Sequence, residues 1–298
     1  MTNKNGVLAV VGAYTLWGFL PLYWKSVQAV PAFELLCHRM VWAFLFVALL
    51  LARRGQWEWL RQARKNPVTL ITFLGTACIL ALNWFTYIWA VNTGHIVDAS
   101  LGYFINPLFS VLLGVLFLGE RLRRWQWIAI GLATGGVIFL TLGYRAFPWI
   151  ALTLAVTFGF YGLLRKTAPL GALEGLSLET AVLFLPALAY LVHLESVGTA
   201  SFGHTGATTG ILLALTGVAT ALPLLWFAYG TRRATLTTVG ILQYIAPTLQ
   251  FLLGVLVYGE SFAKTRMIGF CVIWIALLIY SLEGVMEGRK RTMRQSVS

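Results

Sequence analysis

The chain has 298 residues, of which 59% are hydrophobic and only 11% charged, and its mean hydropathy is +0.79. A soluble domain carries about 25% charged residues, so this chain could not cover a water-facing surface and we read it as an integral membrane protein. A net charge of +12 would suit a nucleic-acid ligand. The basic residues, however, form short clusters between apolar runs, as in cytoplasmic membrane loops, so we expect membrane lipid and no nucleic acid as partner.

Apolar runs long enough to cross a bilayer recur along the whole chain, because a spanning helix needs roughly 20 mostly apolar residues. These runs are too long and too uniformly apolar for the alternating segments of a β-barrel. The predicted fold class is therefore an all-α membrane protein of ten transmembrane helices. The spans lie near residues 6–25, 33–52, 68–91, 97–118, 125–143, 147–164, 174–194, 208–230, 236–258 and 266–284.

The basic residues predict the orientation of this bundle. If the N-terminus is cytoplasmic, the cytoplasmic segments hold 17 of the 22 Lys and Arg residues, as the positive-inside rule requires. Both termini are then cytoplasmic, and residues 285–298 form a basic tail. The three cysteines lie in apolar runs without metal-ligand or redox spacing, so we expect no metal and no cofactor.

A stretch of the fourth span appears again in the ninth. Residues 102–120 read GYFINPLFSVLLGVLFLGE and residues 242–260 read LQYIAPTLQFLLGVLVYGE, with nine of nineteen positions identical. Chance similarity between apolar segments supplies Leu, Val and Ile, but it rarely supplies Pro, Gly and Glu in register. Further matches at spacings of 140 to 142 residues extend the repeat to five spans in each copy.

We place the first repeat at residues 1–143 and the second at residues 144–284. Because five is odd, the two copies enter the membrane in opposite directions. The loop charges agree, since the loop after the second span holds five basic residues and its counterpart near 195–207 holds none. Inverted repeats are the architecture of many secondary transporters, because two such halves give one cavity that can open to either side.

The repeated prolines, Pro107 and Pro247, should kink equivalent helices near the cavity, because Pro removes a backbone hydrogen bond. Gly119 and its counterpart are expected to end those helices. Glu120 and Glu260, which follow, are expected to lie in the headgroup zone.

These features resemble a known family. Five-plus-five inverted repeats with Pro-x(6)-Gly-x(4)-Gly-Glu in each fourth span resemble the EamA repeat of the drug/metabolite transporter superfamily. The resemblance implies a bacterial inner-membrane permease whose central cavity is lined mainly by the first four spans of each repeat, with the fifth and tenth outside. Finer stretches are similar to the RarD branch, named for chloramphenicol sensitivity: LWGFLPLYWK (16–25), ELLCHR (34–39), NWFTYIWAVN (83–92), ASLGYFINPL (99–108) and ILQYIAPT (241–248).

Ionisable side chains at the span ends form two candidate gates, because charges inside a membrane are costly and usually face the bundle interior. Side chains reaching the headgroups are the alternative interpretation. If flux is proton-coupled, Glu34 is the first candidate to carry the proton and Glu174 or Glu179 the second. The outer set is Lys25, Glu34, His38 and Arg39, and the inner set is Lys166, Glu174 and Glu179.

Amide and aromatic side chains of the first, third and fourth spans and their counterparts are candidate cavity residues, since polar groups would be unsatisfied against lipid. Hydrogen bonding between helices is the alternative role. An aromatic lining with a few amides suits small amphipathic or aromatic molecules, whereas phosphate esters would need several basic residues at mid-membrane. The candidates are Tyr14, Trp17, Asn83, Tyr87, Tyr103, Asn106, Trp226, Tyr229, Gln243 and Tyr244.

We therefore expect a secondary transporter of small organic metabolites or amphipathic drugs that works by alternating access. The sequence holds no Walker motif for ATP drive and no nucleophile–base set for catalysis, so a membrane-embedded enzyme is disfavoured. A passive facilitator of the same fold stays open as an alternative. Gly131 and Gly135 form a helix-packing motif, which suits either a homodimer or close packing within one chain.

Overall fold

The computed structural model describes residues 3–55, 57–93, 95–142, 147–258 and 264–295, and all regular secondary structure within them is helical. The helices are α1 (Lys4–Ser26), α2 (Ala32–Arg54), α3 (Glu58–Lys65), α4 (Pro67–Asn92), α5 (Ile96–Leu118), α6 (Arg124–Leu142), α7 (Trp149–Thr167), α8 (Ala172–Ser196), α9 (Ala207–Thr231), α10 (Leu236–Leu242), α11 (Ile245–Leu256) and α12 (Lys264–Gln295).

Nine segments of the described chain are long and apolar enough to cross a membrane, with α10 and α11 together forming one of them. The protein is accordingly a multi-pass membrane protein. Helix α7 coincides with the predicted sixth span but is not among the nine, and its last turn holds Arg165 and Lys166. The count of ten spans therefore stays a prediction.

Helix α3 was not predicted, because eight residues are too few for a span. Its basic side chains Arg61, Arg64 and Lys65 are exposed, while Ala63 is buried. The helix packs against α4. A short amphipathic helix with a basic face is typical of a segment that lies along the membrane surface.

Most helices of the first half of the chain pack directly on helices of the second half, so the two halves do not form separate bundles. The most extensive contacts join α5 with α7, α1 with α9, α2 with α8 and α9, and α6 with α12. The pairs exchange when each helix is swapped for its repeat counterpart: α1–α9 becomes α7–α4, and α2–α9 becomes α8–α4. This two-fold pattern is the one expected when two related halves pack against each other. The predicted boundary at residues 143 and 144 lies outside the described residues.

The ninth predicted span is divided into α10 and α11, with Gln243 and Tyr244 between them. Pro247 contributes to the break, because it has no N–H to donate to the carbonyl of Gln243 four residues earlier; that carbonyl instead accepts from the N–H of Ala246 at 3.2 Å. Helix α5, the counterpart, is continuous although it contains Pro107. The two equivalent prolines therefore have different local consequences.

The end of α5 shows why the sequence repeats glycine there. Gly119 follows the last helical residue with φ +60°, in the left-handed region where glycine is least strained. The N–H of Glu120 then donates to the carbonyl of Gly114 at 3.0 Å. A Cβ on Gly114 would lie 2.8 Å from the Glu120 carboxylate, so a larger residue at that position would displace this side chain.

The Glu120 carboxylate connects the two halves. Its two oxygens accept hydrogen bonds from the N–H groups of Leu236 at 2.5 Å and Thr237 at 2.8 Å, which satisfies the first turn of α10. Glu120 thus caps a helix of the other repeat, a partner that the sequence did not indicate; its place in the headgroup zone stays a prediction. The predictions for the counterparts Gly259 and Glu260 concern residues outside the described part of the chain.

Candidate functional site

A cavity of about 200 Å³ lies where the two halves meet. Its walls come from α1, α2, α4, α5, α7, α9 and the α10–α11 junction, so both halves contribute. No residue of α6 or α12 is among its described walls. The candidates that line it are Tyr14, Trp17, Arg39, Asn83, Tyr87, Tyr103, Asn106, Gln243 and Pro247.

The cavity lies toward one end of the bundle. We call the end where α1 begins and α9 finishes the basic end; there the N–H of Asn3 donates to the carbonyl of Arg233 at 2.9 Å. The opposite end, where α2 begins, is the distal end. Trp17 and Trp24 come from the distal half of α1, and Arg39 comes from the second turn of α2. The cavity therefore extends toward the distal end and stops short of the basic end.

Seven of the twenty described residues of the cavity wall are aromatic. The rings of Tyr87 and Tyr103 meet edge to face at 6.2 Å, and Trp17 meets Phe158 in the same way at 5.8 Å. The Tyr14 hydroxyl is buried in this wall and makes no hydrogen bond within the described residues. Such a lining presents flat apolar surfaces and a few unsatisfied polar groups to a ligand.

The candidate amide side chains differ in role: one hydrogen-bonds to another helix, and one leaves a polar group unpaired at the cavity wall. Asn83 donates to the carbonyl of Leu154 at 3.0 Å and to the Thr157 hydroxyl at 2.8 Å, so it joins α4 to α7. Asn106 is buried and accepts a bond from Ser110 on its own helix. Gln243 lies at the helix break, and its buried Oε1 has no partner within the described residues.

Arg39 is the one charged residue among the described cavity walls. Its Nε donates to the Thr220 hydroxyl at 3.1 Å. The guanidinium carbon lies 4.8 Å from the ring centre of Trp24 and 5.0 Å from that of Trp84. These contacts with π faces stabilise the cation but add no counter-charge.

The structure places three candidates away from the cavity. Trp226 packs on α1 and is 39% exposed, and the Tyr229 ring lies 3.7 Å beneath the Arg233 guanidinium. Tyr244 is buried beside α5, where its hydroxyl donates to the Phe104 carbonyl at 3.0 Å. The first two lie in the half of α9 nearer the basic end, beyond the reach of the cavity.

The basic end is closed by a buried ion pair. Arg165 and Glu179 are 1% and 0% exposed, with 3.6 Å between Nη1 and Oε1. Tyr161 donates to the second carboxylate oxygen at 3.2 Å, and Arg165 Nη2 donates to the Ala172 carbonyl at 3.0 Å. Because a buried charge needs a partner, the pair holds α7 and α8 together beneath the cavity.

Two further basic side chains complete this closure. Lys166 donates to the carbonyls of Thr231, at 3.0 Å, and Ala234, which ties α7 to the end of α9. Arg232 donates to the Leu170 carbonyl at 2.8 Å. Burial lowers the pKa of Arg232, and repulsion from neighbouring arginines adds to the shift. We call these four residues, Arg165, Glu179, Lys166 and Arg232, the basic-end seal.

The distal gate candidates make different contacts. Glu34 is buried and accepts bonds from the N–H and hydroxyl of Ser201 at 2.6 and 2.8 Å, while His38 lies 3.7 Å from it. The Lys25 ammonium lies 3.8 Å from the ring centre of Tyr258. Glu34 and His38 therefore anchor the start of α2 to the segment before α9, outside the described cavity walls.

Glu174, the remaining gate candidate, lies 3.9 Å from Arg54 in a partly exposed pair at the basic end. Arg165 was missed by the sequence analysis. It precedes Lys166 at the end of a predicted span, where basic residues are explained by membrane orientation alone. At the spacing of 141 residues that relates Lys25 to Lys166, its counterpart is Trp24, so the repeat gave no signal of a charge.

Comparison with known proteins agrees with this architecture. The profile of the EamA-like transporter family matches residues 4–142. The chain is 45% identical to Protein RarD of Streptomyces exfoliatus over 98% of this chain and 93% of that protein. It is 40% identical to Protein RarD of Escherichia coli K12 over 97% of both chains, and 45% identical to the uncharacterized transporter YojE of Bacillus subtilis over 95% of both. One solved crystal structure, 22% identical, shares the fold with a TM-score of 0.71 over 93% of this chain and 97% of its own.

Proposed function

This chain belongs to the EamA-like transporter family, in its RarD-like branch, and from that premise we propose that it carries small organic molecules across the bacterial inner membrane by alternating access. It is a membrane transporter. In our proposal the basic end faces the cytoplasm, and the distal end faces the outside. The substrate occupies the cavity between the repeats, and the energy for transport comes from a gradient.

One observation carries the proposal: the cavity extends toward the distal end, while the basic end is held together by residues whose repeat counterparts lie at the distal end and form no such seal. Lys166 corresponds to Lys25 at a spacing of 141 residues, and Glu179 corresponds to Arg39 at a spacing of 140. Lys166 is bonded within the seal, whereas Lys25 lies over Tyr258. Equivalent residues therefore make different contacts at the two ends of one structure, and such an asymmetry supports alternating access.

The contacts of the seal suggest how the two environments exchange. Lys166 donates to the carbonyl of Thr231 at the end of α9, and the counterpart of that carbonyl belongs to Trp89 on α4. In the opposite state we expect Lys25 to bond this end of α4 while Lys166 is released. The distal end would then be closed and the basic end open, with Trp226 and Tyr229 nearer the cavity.

The test is the accessibility of one cavity position from each side of the membrane. Leu20 lines the cavity, so Leu20→Cys, in a chain whose three native cysteines are replaced by alanine, would be treated with a membrane-impermeant thiol reagent in oriented vesicles. We expect labelling from the distal side. Lys166→Met should weaken the seal and add labelling from the basic side, whereas Lys65→Met, on exposed α3, should not.

Simultaneous access from both sides in single molecules would indicate a channel and contradict the proposal, as would access from one side only in every variant. A passive facilitator is distinguished by accumulation. Proteoliposomes of a coupled carrier concentrate substrate when a proton or sodium gradient is applied, while a facilitator only equalises the two compartments.

A further inference from the structure

We infer that Arg39 is the binding site for a substrate carboxylate, so that the cargo is a small monocarboxylate with a flat apolar body. This inference rests on the proposed function, because it identifies the chemistry of the molecule that the cavity carries. It adds the requirement that the substrate is an anion, which neither the family nor the aromatic wall indicates.

The geometry leaves the guanidinium available on its cavity side. Arginine has five N–H donors, and Thr220 takes only the one on Nε. The four donors on the two Nη atoms make no hydrogen bond within the described residues. Both Nη atoms keep some solvent-accessible surface. Trp24 and Trp84 both lie within about 5 Å of the guanidinium, an arrangement that orients its fork of donors. Such a fork matches the two oxygens of a carboxylate.

The charge of Arg39 is not balanced by the protein. No ion pair joins it to any carboxylate in the described part of the chain, and the other described cavity walls are uncharged. A cation within a membrane protein is costly unless it is paired. A neutral cargo would leave that cost in place during transport, whereas an anionic cargo removes it each time it binds.

The repeat provides an independent argument. At the basic end, the position equivalent to Arg39 is Glu179, and the position equivalent to Trp24 is Arg165. There the chain itself supplies a cation and a carboxylate, and they form the buried pair. At the distal end, these two equivalent positions supply only the cation. The carboxylate that has no counterpart at the distal end is the group that we assign to the substrate.

The rest of the wall limits what the carboxylate is attached to. The rings of Tyr87, Tyr103 and Trp17 offer flat apolar contact, and the Gln243 amide can supply a donor or an acceptor to one polar substituent. The cavity of about 200 Å³ is below the roughly 300–1,000 Å³ of drug-sized pockets. A single cation also favours a monoanion over a phosphate ester, which would need several.

The inference is tested with matched acid and amide probes, which have nearly the same shape but differ in charge. The pairs are phenylacetate with phenylacetamide, indole-3-acetate with indole-3-acetamide, and propionate with propionamide. Binding to the purified full chain in detergent would be measured by titration calorimetry. We expect an acid to bind and its amide to bind at least roughly 10-fold more weakly, since hydrogen bonds to charged groups contribute that much.

Three variants separate the role of Arg39 from general effects of charge. Arg39→Gln should weaken acid binding by roughly 10- to 100-fold and leave the amide unaffected. Arg39→Lys keeps the charge but loses the fork, so it should bind acids with intermediate affinity, and it provides the test if Arg39→Gln does not fold. The control is Arg233→Gln, because Arg233 is also a guanidinium stacked on a ring but is exposed and outside the cavity.

The outcomes distinguish this inference from the proposed function. Equal binding of acid and amide, unchanged acid binding in both Arg39 variants, or no binding of any acid would overturn the carboxylate site. Counterflow of a neutral compound in proteoliposomes would in that case still support a transporter. If acids bind in an Arg39-dependent manner but show no counterflow, the site stands and the proposed function fails.

Discussion

Glu179→Gln is the substitution that most directly tests the basic-end seal. The amide has nearly the same volume as the carboxylate and can still accept the hydrogen bond from Tyr161. What it removes is the counter-charge of Arg165, which is 1% exposed. The variant therefore isolates the electrostatic part of the seal from its packing.

The magnitude follows from the distance in the structure. Coulomb's law for the 3.6 Å separation of Arg165 Nη1 and Glu179 Oε1, with an effective dielectric constant of about 20, gives an attraction of about 5 kcal/mol. Removal of one partner of a buried pair typically costs about 3–5 kcal/mol. Opening the basic end admits water to Arg165, so the closed state should lose about two to four orders of magnitude in population relative to the open state.

The assay combines thermal unfolding in detergent with the labelling of Leu20→Cys from the basic side. We expect Glu179→Gln to unfold at a lower temperature and to be labelled faster. The double variant Arg165→Met/Glu179→Leu should recover much of both properties, because apolar residues of similar volume often replace a buried pair without loss. Unchanged labelling and an unchanged unfolding temperature in Glu179→Gln would refute the reasoning.

Three further predictions concern the architecture. Glu120→Ala removes the two carboxylate acceptors for Leu236 and Thr237 in the first turn of α10 and should lower the free energy of unfolding by about 1–2 kcal/mol, with Glu120→Gln about half as costly; equal stability of all three in thermal unfolding would contradict the capping role. Gly240→Ala should cost about 1–3 kcal/mol, since its Cβ would lie 2.6 Å from the Pro107 carbonyl, whereas Gly131→Ala, whose Cβ meets nothing within 4 Å, should not destabilise. Pro247→Ala allows the hydrogen bond that is missing at the α10–α11 break, so we expect higher thermal stability but slower counterflow, and faster counterflow would contradict a role for the break in opening.

The sequence predicted the features that depend on local composition and period. Apolar length alone identifies a membrane helix, so the predicted spans agree with the helices of the structure, apart from the surface helix α3 and the division of the ninth span. The RarD-like family and its EamA fold were also recognisable, because Pro, Gly and Glu recur in register. Gly119 ends its helix as predicted, since a left-handed terminal residue is a local requirement.

Long-range partners could not be read from the sequence. Glu120 is predicted to lie in the headgroup zone, but its local sequence does not indicate that its carboxylate caps a helix more than a hundred residues away. Arg165 looked like a loop charge and is among the most deeply buried side chains described. In both cases the local pattern also suits the membrane interface, and only the packing of one half against the other supplies the partner.

The sequence by itself therefore determined the class of protein, the repeat and the set of residues from which a site could be built. Tertiary structure decided which copy of each repeated position serves the cavity and which serves the seal. Arg39 lines the cavity, and its counterpart Glu179 is paired and buried. The physical reason is that the two repeats share one sequence pattern, so no local feature specifies which end of the bundle is closed. The closed end is set by contacts between the two repeats.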